Sequence, residues 1–562
     1  MSAVKKSSKP AAPDLSEFRK RYPLTVASFA ALANREAYLR GIWEAGAEWQ
    51  QLMEMDQRPQ EVIVRGAPPA ALTVEAEFEI IYAGGALGLL HAAVMAGNYG
   101  RSVLVFDGQR VGQAGRDWNI SNEDLCELER AGLFSREEIE AAVINRYRSG
   151  FVKFHDAQSR VKTPPLWMSG VLDIAVEADK LLGMAAAKIN GSETRSLLLD
   201  GQRLVRCYVQ PARVLVELED VRTGRRRLFA ARLFIDATGA HSLVQRQLNK
   251  EHAMTHVCPT VGTLARGFVR GAEVDQVDFS TSEILVSNED AQDHRQLIWE
   301  GFAGHPRRDE YATYLFFYDT VNSPADKSLL ALFEQYFEKL PRYKRTGAQW
   351  RVMRPVFGYV PGFQPHGWTT RKRTSDERIM LLSGGGGFST PLAFSGPGPH
   401  LRGLQRLTHL VDLALEADLL DGASLMEISA MEPRVAQAAT LAEFLRPTPK
   451  SAPNAVNETL NAVMGALNNL DERVRHELFQ DRLTIGALKN LLSHTIRLYP
   501  RILQRIREHL GARGTFWWLA NIAEAAFSER RSREGRELPL GLEEQGEDAA
   551  QRFARHLRLY KK

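Results

Sequence analysis

Between Phe78 and Asp107 the chain reads FEIIYAGGALGLLHAAVMAGNYGRSVLVFD, and few folds accommodate that order of residues. Phe78 to Tyr82 is a short apolar run of the kind that makes a buried parallel strand. Gly84, Gly85 and Gly88 follow it at once. Glycine there lets the backbone turn tightly, approach a pyrophosphate and pack a helix against a sheet. The pattern predicts a helix from about Ala86 to Asn98, its first N–H groups aimed at phosphates, and a second strand from Val103 to Phe106. Asp107, closing that strand, is placed to accept ribose hydroxyls. This is the layout of a dinucleotide-binding βαβ unit. Ala83 stands where the G-x-G-x-x-G pattern has its first glycine, and the three glycines would also serve an ordinary strand-to-helix turn.

A chain of 562 residues is too long for one compact core, so two or three domains are expected. Its 44% hydrophobic and 25% charged residues are those of a globular protein. The net charge of +4 is small for this size, and no nucleic-acid partner is expected. Cys126, Cys207 and Cys258 lie far apart, which excludes a disulfide framework or cysteine-rich zinc site and suits a reducing, cytoplasmic setting. No metal site is read. The polar start MSAVKKSSKPAAP lacks an apolar signal region, and no stretch approaches the length of a membrane span.

Residues Leu15 to Met55 read as two helices, with Trp43 and Trp49 as packing residues. From Leu204 to Phe234 the alternation is that of strands, with a hairpin tip at Thr223-Gly224 and a solvated run at Arg225, Arg226 and Arg227. That region delivers FIDATGAHS, a buried strand ending in Asp236 and a small-residue turn through Thr238 and Gly239, suited to bring backbone against an adenosine. A third glycine element, IMLLSGGGGFSTPLAFSGPGP, runs from a strand at Ile379 to Leu382 through Gly384, Gly385, Gly386, Gly387 and Pro391 towards a helix rich in Leu and Arg. Close backbone approach and exposed N–H groups there suit a flavin pyrophosphate and ring edge, and a loose loop would also read this way.

The segment GRDWNISNEDLCELERAGLFSREEIE, Gly115 to Glu140, has a charged and aromatic turn followed by a helix start at Ser121 with Asp124 three residues on, loosely a capping box. With AGGALG, CPTVGTLARGF at Cys258 to Phe268 and SGGGGFSTPLAFSGPG, it resembles the Cru-type lycopene cyclase family and its paralogues, which carry a closely similar GRDQEWNIS-like turn. The resemblance runs from GIWEAGAEWQQL in the N-terminal arm to APNAVNETLNAVMGALNNLDERVRHELFQDRLTIGAL. It implies an α/β fold, with a Rossmann-type FAD domain of the glutathione reductase and p-hydroxybenzoate hydroxylase kind and a mixed β-sheet substrate domain. The expected divisions are 1–75 for a disordered tail and helical arm, 76–250 and 376–445 for the FAD domain, 251–375 for the substrate domain and 446–562 for a helical region.

The resemblance also implies an activity: a proton adds to a terminal double bond of lycopene, the cation closes a ring, and a proton leaves, with reduced flavin stabilising the cation. Such chemistry asks for a carboxylic acid in a dry pocket and aromatic faces near the cation. Candidates are Asp117 with Trp118, the first choice because it lies one loop beyond Asp107, and Glu300 beside Trp299; Asp117 would equally pair with Arg116, itself a candidate cofactor contact, or cap a turn, and Glu300 would equally lie on a solvent face. The family has Gly-Asp where this chain has Ser383-Gly384, and that carboxylate holds the flavin ribityl chain. Its loss removes a charge-assisted hydrogen bond of about 1.5–3 kcal/mol, so FAD affinity is expected to fall about ten- to a hundredfold. A flavin monooxygenase or polyene reductase using NAD(P)H, and a non-catalytic flavin- or carotenoid-binding paralogue, stay open; the lack of a WxWxIP sequence counts against a halogenase. Finally, Arg482, Lys489, Arg497, Arg501, Arg505, Arg507 and Arg513 interleave with Leu and Ile before Phe516, Trp517 and Trp518, a pattern that fits either a helical subdomain or a basic surface on the inner face of a membrane.

Overall fold

The computed structural model describes residues 12–57, 60–249, 254–362, 373–382, 397–428, 443–532 and 547–561. The N-terminal arm holds three helices where two were expected: Leu15–Arg21, Pro23–Ser28 and Arg35–Gln57. Pro23 sits at the start of the second, where its missing N–H costs nothing, and Tyr22 is the break before it. The arm clamps the distal part of the molecule. Phe29 meets the rings of Phe333 and Phe337, Glu334 accepts from the Thr25 amide and hydroxyl, and Trp49 stacks on Tyr359 at 4.8 Å.

A nine-stranded sheet organises the first half. Its parallel heart runs in the order Ile379–Leu381, Arg226–Asp236, Val74–Ala83, Val103–Phe106, Leu197–Leu199. Val74–Ala83 is buried on both faces at its C-terminal end, as a parallel strand covered by helices requires. Ile80 and Tyr82 face the helices Leu87–Asn98, Ala178–Asn190 and Gly398–Glu416, while Ile81 and Ala83 face a second apolar layer with Phe106, Val216 and Phe234. Arg226–Asp236 also pairs antiparallel with Val214–Asp220, which pairs with Gln202–Val209, so the alternating region makes two hairpins and turns at Thr223-Gly224. The arginine run at this tip is tied down: Arg226 pairs with Glu217 at 3.1 Å and Arg227 with Glu75 at 2.7 Å.

The second, eight-stranded sheet is built on the long strands His256–Phe268 and Thr346–Gly362, with Glu310–Phe316, Ile298–Ala303 and Thr281–Val286 beyond them. It also takes Ser149–Lys153 and Leu166–Met168, from inside the stretch assigned on sequence to the FAD domain. Helix Leu329–Tyr343 covers one face, and Ala455–Asn468, Glu472–Phe479 and Ile485–Leu498 extend the same apolar core. Within it lies a buried ion pair, Lys344 with Glu283, whose ammonium also donates to the carbonyls of Val274 and Gln276, both at 2.9 Å. Burial pushes the Glu283 carboxyl up against the pull of that cation. A small third sheet, Trp118–Ile120, Ile174–Val176 and Val143–Arg146, lies where the two large sheets meet. The three cysteines are unpaired.

Candidate functional site

The glycine turn has the geometry that the spacing predicts. Gly84 adopts φ +105°, and a Cβ there would stand 2.7 Å from the Ala237 carbonyl; a Cβ at Gly88 would stand 2.7 Å from the Ala237 side chain. Glycine is required because the strand ending at Asp236 and its turn approach to contact. Gly85 donates to Asp107 Oδ2 at 2.8 Å, and the Gln109 amide to Oδ1 at 2.8 Å. Each carboxylate oxygen thus carries one amide and keeps lone pairs for a hydroxyl donor. The helix opens at Ala86 with no side-chain cap, leaving its first amides to an anion.

The Asp236 turn is self-contained. Asp236 is buried and accepts from the Thr238 amide at 2.9 Å, the Thr238 hydroxyl at 2.5 Å and the Ser242 hydroxyl at 2.8 Å, while Gly239 supplies a positive φ of +61°. Its carboxylate fixes the turn, so any contact of this segment with a nucleotide falls to backbone atoms. Gly384, Gly385, Gly386, Gly387 and Pro391 lie outside the described residues.

Asp117 and Glu300, far apart in sequence, both act on the hydroxyls of Tyr147 and Tyr314. The turn carrying Asp117 is held from below: Asp179 accepts from the amides of Ala114 and Gly115, and Asp173 from that of Asn122. Along Trp118–Ile120 the side chains alternate. Trp118 and Ile120 enter the core of the first sheet, so Trp118 does not present its face to the carboxyl groups as expected. Asn119 points the other way, donating to Ser282 Oγ at 3.3 Å and lying within hydrogen-bond reach of Glu300. Asp117 pairs with Arg354 at 3.3 Å and not with Arg116, which is exposed. Burial raises the Asp117 carboxyl, the Arg354 charge lowers it, and Glu177 and Glu310 add to the rise.

Glu300 is not on a solvent face; it is 6% exposed. Desolvation pushes its carboxyl up to about 7, opposed by Asn119 and the charge of Arg116. Tyr314 stands opposite Glu300 in the strand register and stacks on Phe302 at 5.8 Å. Burial raises the Tyr147 and Tyr314 hydroxyls, and the charges of both Glu300 and Asp117 raise them further. Asn119 Oδ1 is buried and accepts no hydrogen bond from a described residue. Asn119, Tyr147, Tyr314 and Arg354 escaped the sequence reading; only Asn119 had a local signal, the alternation of W-N-I. Among the described residues no cluster of His, Cys, Asp and Glu could hold a metal ion.

No family model and no curated protein matches the chain. Solved structures do resemble it. A geranylgeranyl bacteriochlorophyll reductase-like protein from Thermoplasma acidophilum matches with a TM-score of 0.50 at 12% identity, over 77% of this chain and 99% of that one. A flavoprotein/dehydrogenase from Cytophaga hutchinsonii gives 0.50 at 12%, over 76% and 99%. The halogenase PltM, solved with phloroglucinol and FAD, gives 0.50 at 15%, over 86% and 95%. The chain therefore has the Rossmann-type fold of flavoprotein reductases and halogenases.

Proposed function

We propose that this chain is an FAD-binding flavoprotein that cyclises the end group of an apolar polyene such as lycopene, with Glu300 as the proton donor. The observation that carries the reading is Glu300 itself: a buried carboxyl poised near neutrality beside Asn119, with Tyr314 across the register. FAD binding is supported by the uncapped helix at Ala86, the close-packed turn at Gly84 and Gly88, the lone pairs left on Asp107, and a fold shared with PltM, which binds FAD. Bound in reduced form, the flavin supplies a fixed negative charge towards a developing cation.

The roles of the side chains follow from their environments. Glu300 gives its proton to a terminal double bond, ring closure moves the cation one step along, and loss of a ring proton ends the reaction with no net electron transfer. Asp117, kept by Arg354 more anionic than burial alone allows, offers a negative charge near that cation, and the Tyr147 and Tyr314 rings offer π-faces.

The test begins with the purified protein's visible spectrum. Bands near roughly 375 and 450 nm mark bound flavin, and lycopene is then supplied with reduced flavin. Glu300→Gln should keep the flavin spectrum and lose conversion; conversion that survives the substitution rules out this assignment. A flavin redox enzyme, the second reading, is favoured by the raised carboxyl serving equally as a proton relay, and is recognised by stoichiometric NAD(P)H consumption. A protein that takes up no FAD points instead to a non-catalytic paralogue, in line with Gly384 in place of the carboxylate.

A further inference from the structure

The region from Arg482 to Ala520 contains seven Lys and Arg and one acid, Glu508. Arg482 is held by Glu123 at 2.8 Å and Arg505 by Glu508 at 3.6 Å. Lys489, Arg497, Arg501, Arg507 and Arg513 are exposed, and none forms an ion pair with a described residue. Lys489, Ser493 and Arg497 share one face of the helix Ile485–Leu498, opposite the buried Leu488, Leu491 and Thr495. The next helix, Ile502–Ser532, breaks at Gly511, where φ is +67°.

The inward faces of these helices are already satisfied. Ile502, Ile506 and Trp518 pack with Phe444, Ala462 and Tyr499 in a cluster of their own. Yet Leu498, Leu503, Phe516 and Leu519 are 48%, 56%, 60% and 56% exposed. Four of the ten large apolar side chains exposed among the described residues therefore fall within one short stretch, the same stretch that carries the unpaired cations. Phe516 and Leu519 lie one turn apart, with Arg513 one turn before them.

We propose that this surface rests on an anionic lipid bilayer, with Leu498, Leu503, Phe516 and Leu519 at the headgroup boundary and the surrounding Lys and Arg against lipid phosphate. Charge complementarity argues for the partner's sign, and the apolar side chains for its kind. Aliphatic groups gain nothing from a nucleic-acid backbone, whereas cationic amphipathic helices bury theirs at the acyl boundary. No described helix is long and apolar enough to cross a membrane, so the contact is one of lying on the surface.

The test is co-sedimentation of the full chain with vesicles of phosphatidylcholine alone and of phosphatidylcholine mixed with phosphatidylglycerol. Binding should favour the mixed vesicles and weaken with salt. Arg497→Glu, Arg501→Glu and Arg507→Glu together should weaken it by roughly a hundredfold, about fivefold for each cation removed. Phe516→Ser with Leu519→Ser should abolish the part that survives high salt. All variants are exposed substitutions, with folding checked by circular dichroism. The proposal is overturned by equal binding to both vesicles, by none, by folded variants that bind unchanged, or by a duplex oligonucleotide binding as tightly as the mixed vesicles. Vesicle binding needs no flavin, so its failure and that of the enzymatic reading are separate results.

Discussion

Replacing Glu300 with Gln separates stability from function at a single atom. The carboxyl's pKa is raised from 4.5 to about 7, with desolvation the leading cause. The folded protein therefore binds a proton more tightly than the unfolded chain, and the stability this provides is full at low pH and lost as pH rises through about 7. The shift of about 2.5 units corresponds to roughly 3 kcal/mol of penalty for holding Glu300 ionised. Glutamine has nearly the same shape and no charge, so it escapes that penalty. Near pH 8 the variant should thus melt on the order of 3 °C above the parent, and near pH 5 the two should nearly coincide. Differential scanning fluorimetry across that range reads the difference directly. A gap that does not grow with pH, or a variant less stable at high pH, refutes the argument that Glu300 is desolvated and held neutral. Gain of stability with loss of conversion is the pattern expected of a residue kept in a costly environment for its chemistry.

The other expectations concern the scaffold. Lys344→Met leaves Glu283 buried without its cation and should cost about 3–5 kcal/mol, read by urea denaturation, with Glu283→Gln on the same background recovering part of it. Gly84→Ala places a methyl 2.7 Å from the Ala237 carbonyl in a left-handed conformation, and should weaken FAD uptake measured by fluorescence quenching while the second sheet stays folded. His409 Nε2 and His556 Nδ1 meet at 3.0 Å where the helix Ala549–Lys561 packs on Gly398–Glu416. Burial lowers both, His409 to about 4, with Arg552 and Arg555 adding to the effect and Glu547 opposing it at His556. Docking of the terminal helix should therefore be full above about pH 6.5 and fade as pH falls towards 4, seen as faster limited proteolysis of that helix near pH 5.

What could be read from the sequence follows how local each signal is. The βαβ unit was legible because its glycines, helix and acidic terminus are set by residues within one short segment, and Gly84, Gly88 and Asp107 take the positions their spacing implies. Asp117 and Glu300 were legible as acids but their environments were not, because these depend on the register of Ile298–Ala303 against Glu310–Phe316 and on Arg354 from another strand. A helix does start after Ser121, at Asn122–Leu125, but without the capping box: the Ser121 hydroxyl accepts from the Leu172 amide, and a capping box forms at Ser135 with Glu138. Trp118 was read as a cation-facing ring from its neighbourhood alone, whereas the strand period puts it on the side of Ile120, inside the core.

The two carboxyls Asp117 and Glu300 differ in what surrounds them. Both are desolvated, but Asp117 has a guanidinium at 3.3 Å and Glu300 has an amide and a ring. Burial raises both, and only at Asp117 is a bonded cation there to draw the group back towards its charged form. Near neutral pH that leaves Glu300 able to give a proton, while the guanidinium bonded to Asp117 favours the charged form of that group, so the two acids are held in different environments. The proposed cyclisation, which creates and then quenches a carbocation, would use Glu300 as the acid and Asp117 as a counter-charge, whereas a redox flavoprotein would use Glu300 as its proton relay.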